Sequence, residues 1–419
     1  MSNTTLQPGV VTGEGYKTLV NAAKAGGYAL PAVNVVSTNS LNAVMEAAAQ
    51  AKSDVIIQLS NSGAAFFAGA GMPDGFKAKV IGAVAAARHA HLLAEHYGIC
   101  VAMHTDHANR ALIPWVEAML DEGEKYYASH GKPLFSSHML DLSADPIDFN
   151  LSECARILER MAKLDMSLEI ELGVTGGEED GIGSEFDEAA DNSRLYTQPE
   201  DVLQAYELLD PIGHFSVAAS FGNVHGVYKP GNVKLTPKIL ENSQKYIQKK
   251  FATAERPVFF VFHGGSGSSR EDIREAISYG VIKMNIDTDT QWATWDGVRA
   301  YELEKHDYLQ GQSGNDTYVF GLGSGSDTLY ENDATVGNSD TVVMSGLSSG
   351  DVTVTRDFNN LYITITATNE RLMLQNWYSG DQYKIEQVVF TDATWDGATL
   401  EDQVPSTPTT GPTTPPPAP

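Results

Sequence analysis

Short apolar runs alternate with longer amphipathic stretches between about residues 29 and 287. Each run has the length of a buried strand, and each stretch has the apolar spacing of a helix with one buried side. Strands that alternate with helices pair in parallel, and eight such units favour a closed (β/α)8 TIM barrel over an open sheet. The runs are residues 29–33, 54–59, 99–103, 134–139, 168–172, 215–219, 258–262 and 281–286. The helical stretches include residues 40–52, 81–97, 113–128, 151–163, 199–209 and 270–279.

Every one of these runs ends at a polar residue or leads directly into one. The carboxyl ends of barrel strands meet at one face, and that face carries the active site. A hydrogen-bonded core position is the commoner role for any single histidine, but such residues would not collect at the same end of all eight strands. The strand-end residues are Asn34, Ser60, residues 104–107, Asp141, Glu171, residues 220–225, His263, Asn285 and Asp287.

Three of the strand-end histidines, His107, His225 and His263, can converge on one ion across the barrel mouth. Imidazole is a ligand for a divalent metal, and three protein ligands leave the open position that catalytic zinc requires. Glu171 is either an alternative ligand or a group that orients one. We expect His104 to support this site rather than to bind the ion.

Glycine-rich segments at the same end predict a phosphate site and a mobile loop. Residues 264–268 follow the seventh run and open a helix near Arg270, and free amides at a helix start attract phosphate. In a barrel, the loop after the seventh strand is a recurrent phosphate site. Lys229 follows the sixth run nearby. The acidic loop 173–183 can bring a carboxylate, from Glu178 or Glu179, over a bound substrate and exclude water.

Composition restricts the partners and the compartment. The 419 residues include 54 acidic and 28 basic ones, and a net charge of −26 disfavours binding to nucleic acid. No apolar run reaches the roughly 18 residues of a membrane helix, and the N-terminus lacks the pattern of a signal peptide. Cys100 and Cys154 are too few for a disulfide framework, so we expect a cytoplasmic protein without a membrane or nucleic-acid partner.

The strand-end motifs resemble those of the class II, metal-dependent fructose-bisphosphate aldolases over about residues 8–312. Within that family the chain is similar to the bacterial subclass that is usually a cytoplasmic homodimer, and its substrate would be a sugar bisphosphate. The matching motifs are His104-Thr-Asp-His107, Leu168-Glu-Ile-Glu-Leu-Gly173, Thr175-Gly-Gly-Glu-Glu-Asp-Gly181, Ser220-Phe-Gly-Asn-Val-His-Gly226, Val261-Phe-His-Gly-Gly-Ser-Gly267 and Lys283-Met-Asn-Ile-Asp-Thr-Asp289.

The resemblance implies a catalytic role for four residues. Asp106 would take the proton from the carbon-4 hydroxyl as the bond between carbons 3 and 4 breaks. Glu179 would exchange the proton at carbon 3 of the dihydroxyacetone-phosphate half. Asn285 would stabilise the enediolate, and Asp141 would help to orient the reacting oxygens. A Lewis-acid ion at the ketone oxygen makes a Schiff-base lysine unnecessary.

The resemblance also implies the ligands and the substrate contacts. Zinc (Zn²⁺) would be bound by His107, His225 and His263, with Glu171 as an alternative metal position. A monovalent cation (Na⁺ or K⁺) would lie near the phosphate, held by backbone carbonyls of residues 224–226 and Gly264. The implied substrate contacts are Asn34, Ser60, Gly226, Lys229, Gly264, Ser266, Asp287 and Thr288.

Beyond residue 312 the family pattern ends. The family continues with a phosphate-binding arginine and a long closing helix, and this sequence has neither. We therefore expect a barrel that lacks its usual final helix and a weaker aldolase with a raised KM. The segment that follows is rich in Gly, Asp, Thr and Val and nearly lacks basic residues.

Residues 313–403 predict a small all-β, Gly/Asp-rich domain. They resemble the haemolysin-type calcium-binding related domain over about residues 313–400. Two Gly/Asp-rich turns make Asp316 and Asp327 candidate ligands of Ca²⁺. The alternative is a small β domain without calcium, since two turns fall short of the three that a solenoid needs. Residues 404–419 have the Pro/Thr-rich composition of a disordered tail.

The leading interpretation is a zinc-dependent fructose-bisphosphate aldolase over residues 1–312 with an appended β domain. One alternative is a calcium-binding surface or secreted module, exported through a C-terminal signal, whose barrel is inactive. A second alternative is an aldolase for tagatose bisphosphate, because the two sugars differ only in stereochemistry.

Overall fold

The computed structural model describes residues 6–173, 176–179, 182–184, 196–225, 235–265, 268–305, 309–310 and 314–405. Of residues 176–179, 182–184, 224–225, 302–305 and 309–310 it describes the backbone alone. The chain divides into two compact units, Met1–Ala293 and Thr294–Pro419. The domain boundary near residue 312 stays a prediction.

The first unit is built on a closed barrel of eight parallel strands. Each strand pairs in parallel with the next along the chain, and the eighth pairs with the first, which closes the barrel. The predicted (β/α)8 architecture is therefore confirmed. The strands are β1 Leu30–Asn34, β2 Val55–Leu59, β3 Cys100–Thr105, β4 Ser137–Leu140, β5 Ser167–Leu172, β6 Phe215–Ala219, β7 Phe260–Phe262 and β8 Val281–Ile286.

Helices follow the strands, and all six helical stretches predicted from the periodicity are present. The helices are Glu14–Gly26, Thr38–Ala51, Asn61–Ala68, Gly75–Tyr97, Ile113–His130, Ile147–Ala162, Pro199–Leu209, Lys238–Phe251, Arg270–Ser278 and Thr288–Lys305. A two-residue strand, Gly9–Val10, pairs in parallel with the start of β3, at Cys100 and Val101. Three short strands, Gly176–Glu179, Ile182–Ser184 and Val224–His225, form a separate small sheet.

Strand alternation separates the apolar core from the polar interior of the barrel. In β5, Leu168, Ile170 and Leu172 belong to the apolar core. Glu169 and Glu171 alternate with them, so they point to the opposite side of the sheet. Both carboxylates are only 1% exposed. A strand with this pattern places its acidic side chains inside the barrel near its carboxyl end.

The loop after β2 is held by close packing between two helices. Ser60 caps the helix Asn61–Ala68, and its Oγ accepts a hydrogen bond from the amide of Gly63 at 3.2 Å. Gly82 lies so close to Asn61–Ala68 that a β-carbon there would overlap the carbonyl oxygen of Ala64. The packing keeps Ser60 at the carboxyl end of β2, where the sequence places a strand-end residue.

The second unit contains two sheets around one apolar core with a buried Trp377. Its strands alternate between buried and more exposed positions, as the sequence predicts for a small β domain. The strand order of one sheet is Leu309–Gln310, Ser326–Tyr330, Arg371–Leu374, Leu361–Ile365 and Val352–Arg356. The order of the other is Thr317–Gly321, Thr341–Ser345, Gln387–Val389 and Thr394–Asp396.

Helical structure after the barrel is short in the part of the chain that the structure describes. Beyond Thr288–Lys305, the one α-helix among the described residues is Gly397–Asp402. The expected β sheets after the barrel are confirmed. None of the helices in the described ranges has the length and hydropathy needed to cross a membrane.

Candidate active site and metal centre

A buried carboxylate lies at the centre of the site. Asp106 follows β3 and is 1% exposed. Its Oδ2 accepts hydrogen bonds from Asn34 Nδ2 at 3.0 Å and from Gln58 Nε2 at 2.8 Å. Its Oδ1 accepts one from Asn285 Nδ2 at 3.2 Å. Donors from β1, β2 and β8 therefore fix the orientation of a single carboxylate.

The network around Asp106 includes one residue that the sequence did not single out. Gln58 also donates to Asn34 Oδ1 at 2.6 Å, so it orients Asn34 as well as Asp106. It is the one polar residue in an otherwise apolar β2. A fully buried amide in such a strand requires polar partners. A single polar residue within an apolar run was therefore the sequence signal for Gln58.

Two histidine rings face each other beside Asp106. The ring centroids of His107 and His263 are 4.5 Å apart. His107 Nδ1 lies 3.4 Å from Asp141 Oδ2 and 3.7 Å from Glu171 Oε2. His263 Nδ1 lies 3.6 Å from the same oxygen of Glu171. Glu171 is therefore adjacent to both imidazoles, as expected of an alternative ligand or an orienting group.

The contact between His107 and Asp141 depends on the backbone conformation of one residue and on the charge of the other. The φ angle of His107 is 27°, in the left-handed region that few non-glycine residues adopt. Burial by itself would raise the pKa of Asp141, but the hydrogen bond and charge of His107, together with Ser143, lower it to about 2. Asp141 is thus a carboxylate at neutral pH and an acceptor for the imidazole N–H of His107.

The donor atoms at this face fit a divalent metal. Asp106, His107 and His263 each offer a ligand atom within 4.8 Å of the others, and so do His107, Asp141 and Glu171. Imidazole nitrogen with carboxylate oxygen is a donor set of zinc and related ions. Of His225 the backbone is described, in a strand that pairs with Gly176–Glu179. The side chain of His225 lies outside the described residues.

The remaining predicted residues are placed in part. Gly264 follows His263 with a φ of 60°, which favours glycine. The carbonyl of Asp287 accepts hydrogen bonds from the amides of Thr290 and Gln291, at the start of the helix that begins at Thr288. Asp287 and Thr288 therefore lie just beyond Asn285. The Glu179 side chain and residues Gly226, Lys229 and Ser266 lie outside the described residues.

In the second unit one candidate calcium ligand, Asp316, lies in a group of three carboxylates. Asp316 lies with Glu331 and Asp340, and their ligand atoms are within 4.8 Å of one another. Asp327, on the strand Ser326–Tyr330, is not a member of that group, whereas Glu331, which follows the same strand directly, is. Burial raises the pKa of both Glu331 and Asp340.

Imidazoles and carboxylates gather at the carboxyl ends of the strands of this closed barrel. This arrangement is typical of a barrel enzyme with a metal site. Residues 14–326 match the family model described as fructose-bisphosphate aldolase class-II. The chain belongs to this family, whose members are lyases. Residues 360–399 match the haemolysin-type calcium binding protein related domain, so both resemblances seen in the sequence are confirmed.

Relatives of this family share more than half of the aligned positions. The fructose-bisphosphate aldolase of Campylobacter jejuni is 57% identical over 312 residues, which cover 74% of this chain and 86% of the relative. The class 2 enzyme of Escherichia coli (strain K12) is 55% identical over 315 residues, with the same two coverages. The crystal structure of the Campylobacter jejuni aldolase superposes with a TM-score of 0.66 at 56% identity and covers 74% of this chain and 86% of that one.

Proposed function

We propose that this protein catalyses the reversible aldol cleavage of fructose 1,6-bisphosphate to dihydroxyacetone phosphate and glyceraldehyde 3-phosphate, a step of glycolysis and gluconeogenesis, with zinc as its metal. One observation carries the proposal: the carboxylate of Asp106, oriented by three amides, lies beside the imidazole–carboxylate cluster at the strand ends. The relatives that are 57% and 55% identical are named as fructose-bisphosphate aldolases, which supports this assignment.

The residues that would hold the metal are His107, His225 and His263, with Glu171 as an alternative position. When bound, zinc supplies a Lewis acid for the negative charge that develops at the ketone oxygen. The histidines come from the ends of three different strands, so their spacing depends on the closed barrel. Asp141 orients His107 by accepting its Nδ1–H, which leaves Nε2 as the ring atom available to a ligand.

Acid–base chemistry is assigned to separate carboxylates. Asp106 takes the proton of the carbon-4 hydroxyl, because its position between β1, β2 and β8 is fixed and buried from competing water. Asn285 donates to the same carboxylate, so it lies where a developing enediolate oxygen can be stabilised. Glu179, on the loop after β5, exchanges the proton at carbon 3.

The substrate is assigned to the loops after β1, β2, β6, β7 and β8. Glycine at 264 and the helix that begins at Thr288 place backbone amides near the site, which suits phosphate. A monovalent cation close to Gly264 is part of the same assignment. The proposed contacts are Asn34, Ser60, Gly226, Lys229, Gly264, Ser266, Asp287 and Thr288.

We expect aldol cleavage of fructose 1,6-bisphosphate to be lost on treatment with a chelator and restored by added zinc. The physical reason is that no lysine Schiff base replaces the Lewis acid in this assignment. The measurement is a coupled cleavage assay of the purified full chain, before chelation, after chelation and after zinc addition. Cleavage that survives complete metal removal would contradict the zinc dependence.

The same assay with tagatose 1,6-bisphosphate separates the two sugar specificities. A kcat/KM that is higher for tagatose bisphosphate would assign the protein to that alternative reaction. A folded, zinc-loaded chain that cleaves neither sugar would contradict the aldolase proposal.

We expect the KM for fructose 1,6-bisphosphate to be about 10- to 150-fold higher than that of the Campylobacter jejuni relative. The expected loss is one charge-assisted phosphate contact worth about 1.5–3 kcal/mol, from the arginine segment absent after residue 312. Steady-state kinetics of both enzymes under identical conditions, normalised to bound zinc, measures the difference. Equal KM and equal kcat would refute it.

A calcium-binding function of the second unit is the second candidate. The match of residues 360–399 to a calcium-binding related domain favours it. Asp316, Glu331 and Asp340 offer oxygen ligands, the kind that calcium prefers. Asp327, the other candidate from the sequence, would act apart from that group. This candidate becomes the leading one if the zinc-loaded barrel proves inactive.

A further inference from the structure

Two polar side chains are buried in the apolar core outside the barrel, next to the end of β3. Met103 on β3 and Leu140 on β4 belong to that core. Side chains two positions apart on a strand point to the same side of the sheet. Thr105 and His138 therefore point to the apolar core as well, away from the barrel interior, and both are fully buried. Neither has a place in the metal, acid–base or substrate assignments.

The two side chains share a hydrogen bond. Thr105 Oγ1 lies 2.7 Å from His138 Nδ1, while His138 Nε2 has no hydrogen-bond partner among the described residues. Burial lowers the pKa of His138 to about 3, so the ring is neutral at physiological pH. A buried N–H without a partner is rarer than a buried acceptor without one. We therefore assign the ring proton to Nδ1, which donates to the hydroxyl of Thr105.

This hydrogen bond lies at the point where the chain leaves the sheet. Thr105 is the last residue of β3, and it pairs with His138 on β4. From the other neighbouring strand, the carbonyl of Leu59 accepts a hydrogen bond from the amide of Asp106 at 2.9 Å. The next residue, His107, has a φ of 27°. A non-glycine residue keeps such a conformation only where its surroundings fix it, and a cross-strand side-chain pair supplies one such constraint.

Stability alone gives little reason for a polar pair in this core. Replacing both partners of a buried hydrogen bond by apolar groups of the same shape is often nearly neutral or even stabilising. Around this pair an apolar alternative is readily accommodated, because the ring of His138 packs against that of Phe135, with centroids 4.9 Å apart. The pair is better explained by what it holds in place.

We propose that Thr105 and His138 are positioning residues for the aldol reaction. Their hydrogen bond fixes the end of β3. Asp106 is thereby kept against its three amide donors, and His107 is kept facing Asp141. This inference rests on the proposed function.

The test uses the full chain and four variants: Thr105→Val, His138→Leu, the double variant and His138→Asn. Valine and leucine remove the hydrogen bond but fill the space. Asparagine keeps an N–H group near the position of Nδ1 but fills the space less well. The matched control is Ser167→Ala with His214→Leu. It removes a hydroxyl–imidazole contact of the same 2.7 Å length at the opposite, amino end of β5.

We expect Thr105→Val, His138→Leu and the double variant each to lower kcat for fructose 1,6-bisphosphate by about 10- to 100-fold at saturating zinc, because the catalytic carboxylate is displaced. KM should change little, since the phosphate contacts lie on other loops. The double variant should have a Tm at or above those of the single variants, because it leaves no polar group without a partner. Steady-state kinetics and calorimetry of the same preparations measure these effects.

The asparagine variant separates positioning from packing. We expect His138→Asn to have a lower Tm than His138→Leu, because it leaves a cavity, but a kcat closer to that of wild type. The control variant should keep the kcat of wild type whatever its Tm. Crystal structures of wild type and the double variant supply a measurement that does not depend on activity. We expect the carboxylate of Asp106 to move by about 0.5 Å or more relative to Asn34 and Asn285.

Two results would overturn the inference. One is a kcat that follows Tm through the series, so that the double variant regains both, because the pair then serves stability alone. The other is an Asp106 carboxylate that does not move. If His138→Leu fails to fold, Thr105→Val and the double variant still decide. An inactive wild-type chain would refute the proposed function, and the crystal structures would still test the positioning of Asp106. Wild-type activity with unchanged variants refutes this inference alone.

Discussion

Replacing Asp106 with asparagine is expected to lower kcat for fructose 1,6-bisphosphate by about 10²- to 10⁴-fold, with zinc still bound. The change keeps the size of the side chain but replaces a carboxylate oxygen by an NH₂ group, so the proton of the carbon-4 hydroxyl has no base. In wild type, Asn34, Gln58 and Asn285 donate to the two oxygens of Asp106. In the variant, one of these two acceptors is replaced by the NH₂ group. Steady-state kinetics and the zinc content of the same preparation measure the effect.

The control for this variant is Asp74→Asn. Asp74 caps the helix Gly75–Tyr97, with its Oδ1 accepting from the amide of Lys77 at 3.0 Å, and asparagine caps a helix equally well. A kcat within a few fold of wild type in Asp106→Asn would remove Asp106 from the chemistry. Loss of zinc together with activity would instead make Asp106 a metal ligand, in the group that it forms with His107 and His263.

The second large effect is expected from His107→Asn, which should weaken zinc binding by more than about 100-fold and abolish cleavage. Loss of a ligand should exceed the 10- to 100-fold cost of losing a residue that merely orients one. Asparagine is chosen because the φ of His107 is 27°, and asparagine tolerates the left-handed region better than most residues. Zinc titration with chelator competition and the cleavage assay measure both effects.

The matched control is His96→Asn, at an exposed position on the helix Gly75–Tyr97. It should retain wild-type zinc affinity and activity. If His107→Asn keeps wild-type zinc affinity, other residues bind the metal. The alternative ligands would then be Glu171, His263 and His225. Circular dichroism of both variants confirms that the comparison is between folded proteins.

The order and type of the barrel elements follow from the sequence alone. Buried parallel strands need continuous apolar runs, and helices on a barrel need one apolar face, so each element shows in a short window of residues. The end of β3 illustrates this, because His104, Asp106 and His107 follow an apolar run directly. Once eight such runs are counted, the strand-end residues must lie at one face of the barrel.

The tertiary structure decided which side chains contact each other inside the barrel. Gln58 contacts Asp106 across 48 positions, and Glu169 contacts Lys283 across 114. Neither pairing has a local pattern, because it depends on which strands face each other after the barrel closes. The same limit applies to Asp316, which lies together with Glu331 and Asp340.

Local periodicity therefore determined which residues reach the active face of this protein, and the closed sheet determined what each of them touches. The first follows from backbone geometry, since a strand or helix sets the direction of each side chain within a few residues. The second follows from strand pairing and register, where a shift of one residue turns each side chain to the other face of the sheet. For Glu169 this decides between a place in the apolar core and contact with His263.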